Sequence, residues 1–231
     1  MSRAVDTPAP DCDSLAWSAA SRAAWQAAWN AAPAGHPLAD PRWFEVIGRV
    51  WGVDRHVLAL RGGAGGVLPV YAVRSVSGGR HLFSPKHALL AGSDDDAEIL
   101  LGGLAALARR QRARSAAVTS GDAAHVVTAA QWTRTGQELA LPGDADAFWR
   151  GLRDKVRNTV RKAERAEIAV ARDAGHVDAF WRLQAAAMTA RCLPVKPRRF
   201  FREMAAAFAD RMTLYTALAA GRPAGGMLVL R

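Results

Sequence analysis

The chain has 231 residues, 50% hydrophobic and 23% charged, with 31 Lys and Arg against 21 Asp and Glu for a formal charge of +10. That length allows one large domain or two small ones, and the composition excludes an intrinsically disordered or fibrous protein. No run approaches the about 20 apolar residues of a membrane-spanning helix and no signal-peptide core is present, so we expect a cytoplasmic protein without a transmembrane segment.

Residues 1–13, MSRAVDTPAPDCD, read as a disordered leader. Residues 14–32 read as a helix whose Trp17, Trp25 and Trp29 fall in a sector of about 120° and share a buried face. A loop follows at 33–41, with His36 as a turn residue. The helix over 41–52 starts at Pro41 and stops at Gly52, with Trp43, Ile47, Val50 and Trp51 as its apolar face. HVLAL (56–60) and VLPVYAV (67–73) flank a glycine turn and predict a hairpin. RHLFSP (80–85) predicts another strand. Residues 94–114 predict a helix, acidic at its start and Arg-rich at its end, as the helix dipole favours. Strands are expected over 116–121 and 133–141.

A similar series fills the second half. Residues 144–166 predict one long helix capped by Asp144 or Asp146, followed by a strand over 167–173. Helices are expected over 176–191 and 196–210, then two strands within 212–231 joined around Gly221–Pro223. Leu228, Val229 and Leu230 run to the last residues as an apolar strand that needs a neighbour, which predicts a domain lacking its last part.

Charge is unevenly spread. Residues 150–202 hold 14 Lys or Arg and 5 Asp or Glu, leaving 17 against 16 in the rest. The densest stretch is 150–165, RGLRDKVRNTVRKAER, with seven basic residues and two acidic ones. On a continuous helix Phe148, Leu152, Val156, Val160 and Ala163 form an apolar stripe, and Arg150, Arg153, Arg157 and Arg161 line another face. Like charges at this spacing cost about 0.2–0.5 kcal/mol per pair. Either the face is simply solvated, or an anion offsets that cost; Arg153, Lys155, Arg157, Arg161 and Lys162 are the candidate contacts. The two cysteines, Cys12 and Cys192, show no metal-ligand spacing, and nothing beside Cys192 in the sequence would activate it as a nucleophile.

The segment FWRGLRDKVRNTVRKAERAEIAV resembles the signature helix and following strand of the FemAB-like, GNAT-like acyltransferase family. HPLADPRWFEVIGRVWG, LALRGGAGGVLPV, HLFSPKHALLAG, LPVKPRRFFREMAAAF and TALAAGRPAGGMLVL resemble further motifs of that family in the same order, although HALLAG lacks the usual second glycine. The resemblance implies an α/β fold with a GNAT-like mixed sheet flanked by helices: one complete domain (14–143) and the first part of a second (144–231). It implies acyl or aminoacyl transfer onto a cell-envelope or exopolysaccharide precursor, from a donor such as aminoacyl-tRNA or acyl-CoA. An anionic donor or carrier, tRNA, and a peripheral membrane or envelope-synthesis complex become candidate partners. Such chemistry works by placing an amine or hydroxyl against an activated carbonyl and needs neither a covalent protein nucleophile nor a metal. The resemblance puts Ser84, Lys86 and His87 in a substrate-pocket loop, where His87 could accept a proton near neutral pH. A non-enzymatic RNA- or carrier-binding module and an inactive shortened relative remain open alternatives.

Overall fold

The computed structural model describes residues 11–32, 37–61, 66–76, 78–119, 139–172 and 174–231. The chain folds as two compact units, Met1–Ala130 and Gln131–Arg231.

The first unit is built on a five-stranded sheet in the order β1 (Cys12–Ala16), β2 (Asp54–Leu60), β3 (Val67–Arg74), β4 (Arg80–Phe83), β5 (Ser115–Ala117). Neighbours are antiparallel from β1 to β4, and β5 lies parallel to β4. Its α-helices among the described residues are α1 (Ala19–Ala31), α2 (Arg42–Trp51) and α3 (Asp94–Arg110). Strand alternation explains how both sheet faces are buried. Leu68, Val70 and Ala72 of β3 join Leu58, Leu82 and Leu100, Leu104 and Leu107 of α3 in one cluster. Val67 and Tyr71 face the other way, toward Trp25 and Trp29 of α1 and Phe44 of α2. Pro69 can occupy an inner strand because β4 pairs with β3 only from Tyr71 onward.

The N-terminal expectations change in detail. Residues 12–16 form a strand, so β1 begins inside the segment read as a leader and takes the start of the helix expected over 14–32. Ser18 then caps α1, its hydroxyl and that of Ser21 satisfying each other's backbone N–H groups. Trp17 therefore precedes the helix, yet its ring still stands edge-on to Trp25 at 6.1 Å and to Phe44 at 5.2 Å. In α2 the fully buried side chains are Phe44 and Val46, whereas Trp51, expected on the apolar face, is exposed. α2 ends at Gly52, as expected, and Gly52 takes the left-handed conformation. The hairpin of β2 and β3 matches its sequence reading closely. α3 stops at Arg110, four residues short of the expected end, and Arg112 turns the chain with φ 49° before β5. Of the strand expected over 133–141, residues 133–138 lie outside the described residues and 139–141 carry no strand.

In the second unit, β6 (Ala169–Arg172), β7 (Met212–Ala219) and β8 (Arg222–Leu230) form an antiparallel sheet in that order. The β7–β8 turn places Ala220 and Gly221 at φ 46° and 73°, the left-handed pair that a two-residue hairpin favours. The helices α6 (Val177–Thr189) and α7 (Arg198–Ala207) supply a small core in which Phe201 stands edge-on to Phe180 and Phe200. The single helix expected over 144–166 is two: α4 (Ala145–Gly151) and α5 (Asp154–Arg165). Leu152 and Arg153 between them are extended, with ψ 143° and 144°.

Candidate functional site

The start of α4 and its break from α5 each have a local physical cause. Asp144 caps α4, its carboxylate accepting from the N–H groups of Asp146 and Ala147 at 3.0 and 3.2 Å. Beyond Gly151, a poor helix former, the Arg150 carbonyl loses the partner that a continuous helix would provide. The guanidinium of Arg157 takes that place, donating to Arg150 O at 2.9 Å while also pairing with Asp154.

That geometry redistributes the five expected anion contacts. Arg157 is engaged inside the joint and is the least exposed of the group. The Arg161 guanidinium sits 5.9 Å from the centroid of the Trp149 ring, a cation–π contact that leaves its N–H edge available. Arg153, Lys155 and Lys162 are exposed and have no carboxylate partner among the described residues. The apolar stripe is also altered: Leu152 leaves the helix, and Val156 and Val160 of α5 are exposed at 43% and 36%. No residue of α5 is buried. The helix thus presents unpaired cations beside two exposed valines, a surface suited to a ligand with both charge and an apolar body.

The loop after β4 lies in the first unit. Ser84 is buried; its N–H donates to Ala117 O at 3.0 Å, and its hydroxyl accepts from Thr119 N–H at 3.4 Å. The His87 N–H donates to Thr119 O at 3.1 Å, and His87 itself is left-handed with φ 58°. These bonds tie the loop to the end of β5, and Leu90 exchanges two backbone bonds with Val67 at 2.8 and 3.0 Å. Ser84 is thereby a tether, Lys86 is exposed, and His87 is half-buried on the same loop.

One set of polar residues escapes sequence reading. Arg74, Arg80, Arg110, Arg112 and Arg114, together with Gln111, line a concavity of about 470 Å³ in the first unit. The run RRQRAR (109–114) is its only local signal, since Arg74 and Arg80 arrive on separate strands. Among the described residues no three His, Cys, Asp or Glu side chains gather as a metal site. No described helix is long and apolar enough to cross a membrane.

Residues 150–231 match the family model described as an acetyltransferase (GNAT) domain. That match begins at Arg150, at the start of the α4–α5 joint, and takes in the whole second sheet. The chain is also similar to the crystal structure of FemX, with a TM-score of 0.59 and 14% sequence identity, over 89% of this chain and 57% of that one. The chain therefore spans 57% of the length of that structure. No curated protein matches it. The α/β, GNAT-like class with a mixed five-stranded sheet and flanking helices is the fold observed, and it is the fold shared with FemX.

Proposed function

We propose that this chain serves acyl or aminoacyl transfer onto a cell-envelope or exopolysaccharide precursor, holding an anionic donor on the exposed face of α5. The observation that carries the reading is the cation set Arg153, Lys155, Arg161 and Lys162, free of carboxylates among the described residues, at the start of the segment that matches a GNAT acetyltransferase domain. The Fem-type resemblance supports aminoacyl-tRNA as the donor, and acyl-CoA carries phosphates of the same chemistry. In such a transfer the acceptor amine or hydroxyl attacks the donor carbonyl, the donor ester or thioester bond breaks, and catalysis rests on orientation and stabilisation of the oxyanion. Ser84, Lys86 and His87 are the proposed substrate-side loop, with the exposed Lys86 offered to an acceptor.

The test pairs binding with turnover. Purified chain is titrated with aminoacyl-tRNA, uncharged tRNA and acyl-CoA over a range of salt, and each donor is then incubated with amine acceptors while acyl product is followed by mass spectrometry. Salt-dependent donor binding with product formation supports the reading. Salt-dependent RNA binding without product from any donor identifies a binding module instead.

A further inference from the structure

We propose that the arginine-lined concavity of the first unit is a separate binding site for a compact phosphate-bearing anion, of the diphosphate class. The proposal goes beyond the acyl-transfer reading and uses none of the residues of α5.

Several arginines elsewhere in this unit have a carboxylate partner. Arg22 and Arg49 meet Glu45 at 2.7 and 3.0 Å, Arg42 meets Asp40 at 2.8 Å, and Arg61 meets Asp13 at 2.9 Å. Around the concavity that pattern fails. Arg74, Arg112 and Arg114 have no carboxylate partner among the described residues, and Arg110 donates to the neutral Ser14 hydroxyl at 3.0 Å. Arg80 pairs with Asp54 at 3.9 Å, and that carboxylate is largely exposed. Five arginines thus line one concave surface, and among the described residues only Arg80 has a carboxylate partner there.

The cluster is held in place by backbone, not by chance side-chain positions. Arg74 and Arg80 are register partners on β3 and β4. The turn between them closes through Ser75 N–H to Gly79 O at 2.8 Å, with Gly78 at φ 86°. Arg114 N–H donates to Arg80 O at 2.7 Å, which fixes the arm after α3 against β4. Gly79 lets the Arg114 stem lie across that turn: a Cβ there would stand 2.6 Å from Arg114 Cδ. Arg80 itself is oriented by Gln111, which accepts from it at 3.0 Å. The planar guanidinium offers paired donors that match two phosphate oxygens, so several converging on about 470 Å³ fit a ligand with more than one phosphate group.

The test is calorimetric titration of the full chain with inorganic pyrophosphate, alongside co-sedimentation with phosphatidylcholine vesicles with and without phosphatidylglycerol, and titration with generic single-stranded RNA. Arg112→Gln with Arg114→Gln should weaken pyrophosphate binding by at least about tenfold, because two charge-assisted hydrogen-bond donors are removed. Arg74→Gln, on another element, should reproduce part of that effect, and Arg61→Gln should not. Gly79→Ala keeps every charge but displaces Arg114, and should also weaken binding. Melting followed by circular dichroism checks that each variant folds. Binding confined to phosphatidylglycerol vesicles, whose headgroup carries a single phosphate, would assign the surface to a lipid monophosphate and overturn the diphosphate proposal. Pyrophosphate or vesicle binding equal in wild type and all variants, no binding to either, or binding to RNA alone, overturns it.

Discussion

The guanidinium of Arg157 donates to the carbonyl oxygen of Arg150 at 2.9 Å, bridging the two helices into which the basic segment is broken. This bond separates two roles that charge alone would merge. Arg157→Gln should lower stability by about 1 kcal/mol, the size of one hydrogen bond, by leaving the α4 terminus without its donor. Its effect on donor binding should be small beside that of neutralising Lys155 or Lys162. Chemical denaturation and RNA titration of the same variant check both halves.

Neutralising the exposed face should act on the salt dependence of binding. Arg153→Gln, Lys155→Gln and Lys162→Gln each remove one cation that can pair with a phosphate. Each should reduce the slope of log affinity against log salt by about 0.7–0.9. Fluorescence anisotropy with labelled tRNA at several salt concentrations measures that slope. Unchanged slopes in the triple variant would remove α5 from the donor site.

Much of the scaffold was legible because its signals are local. The β2–β3 hairpin follows from two apolar runs around a glycine turn, and the end of α2 from Gly52. β1 was missed because CDSLA alternates only weakly and sits directly before a strongly helical run. The α4–α5 break was missed because its stripe from Phe148 to Ala163 is continuous on paper, and the bond that stabilises the break joins residues seven apart. At the candidate site the cations of α5 were legible as a periodic face, but their division into the engaged Arg157 and the exposed Lys155 needed side-chain geometry. The arginine concavity was illegible for a different reason: RRQRAR stands out as a charge run, but Arg74 and Arg80 come from two separate strands and only the β3–β4 register brings them beside it.

Asp178 anchors the start of α6 to α7. Its carboxylate accepts from Arg198, and from Arg202 at 3.0 and 2.7 Å, and these hydrogen bonds hold its pKa well below the usual carboxylate range. A carboxyl whose folded pKa is depressed stabilises the fold above its unfolded value, about 3.9, and loses that contribution as pH falls through the folded one. Asp178→Asn should destabilise the second unit at neutral pH and flatten the acid limb below about pH 4. Thermal melts of wild type and variant across that range check the sign.

His56 carries a pH effect of its own. Burial first, and then Arg110 and Arg80, push its pKa below the ordinary value against the opposing pull of Asp54. Gln111 accepts from Arg80 through its oxygen, so its amide nitrogen donates to His56 Nε2 at 2.8 Å, which requires a neutral ring. The unfolded chain therefore takes up this proton first, and stability should fall as pH drops below about 6.5. His56→Gln should remove that part of the pH dependence, read from melting temperatures between neutral and mildly acidic buffer.

Gly225 and Gly226 are adjacent in β8 and should respond differently to the same change. A Cβ on Gly226 would stand 2.6 Å from Phe180 Cδ2, on a ring already fixed edge-on to Phe201 at 5.6 Å. A Cβ on Gly225 would meet only the Ala217 methyl, at an ordinary 3.7 Å. Neither glycine needs a left-handed conformation, so the contrast isolates packing from backbone freedom. Gly226→Ala should cost about 1–3 kcal/mol, the usual penalty of overfilling a packed contact. Gly225→Ala should be neutral or stabilise by up to about 1 kcal/mol, since alanine restricts the unfolded chain. Trimming the ring with Phe180→Leu should recover part of the Gly226→Ala loss while costing stability alone. Denaturant melts of the three single variants and the Phe180→Leu, Gly226→Ala double variant form a thermodynamic cycle, and additivity in that cycle would show that Phe180 does not seat on Gly226.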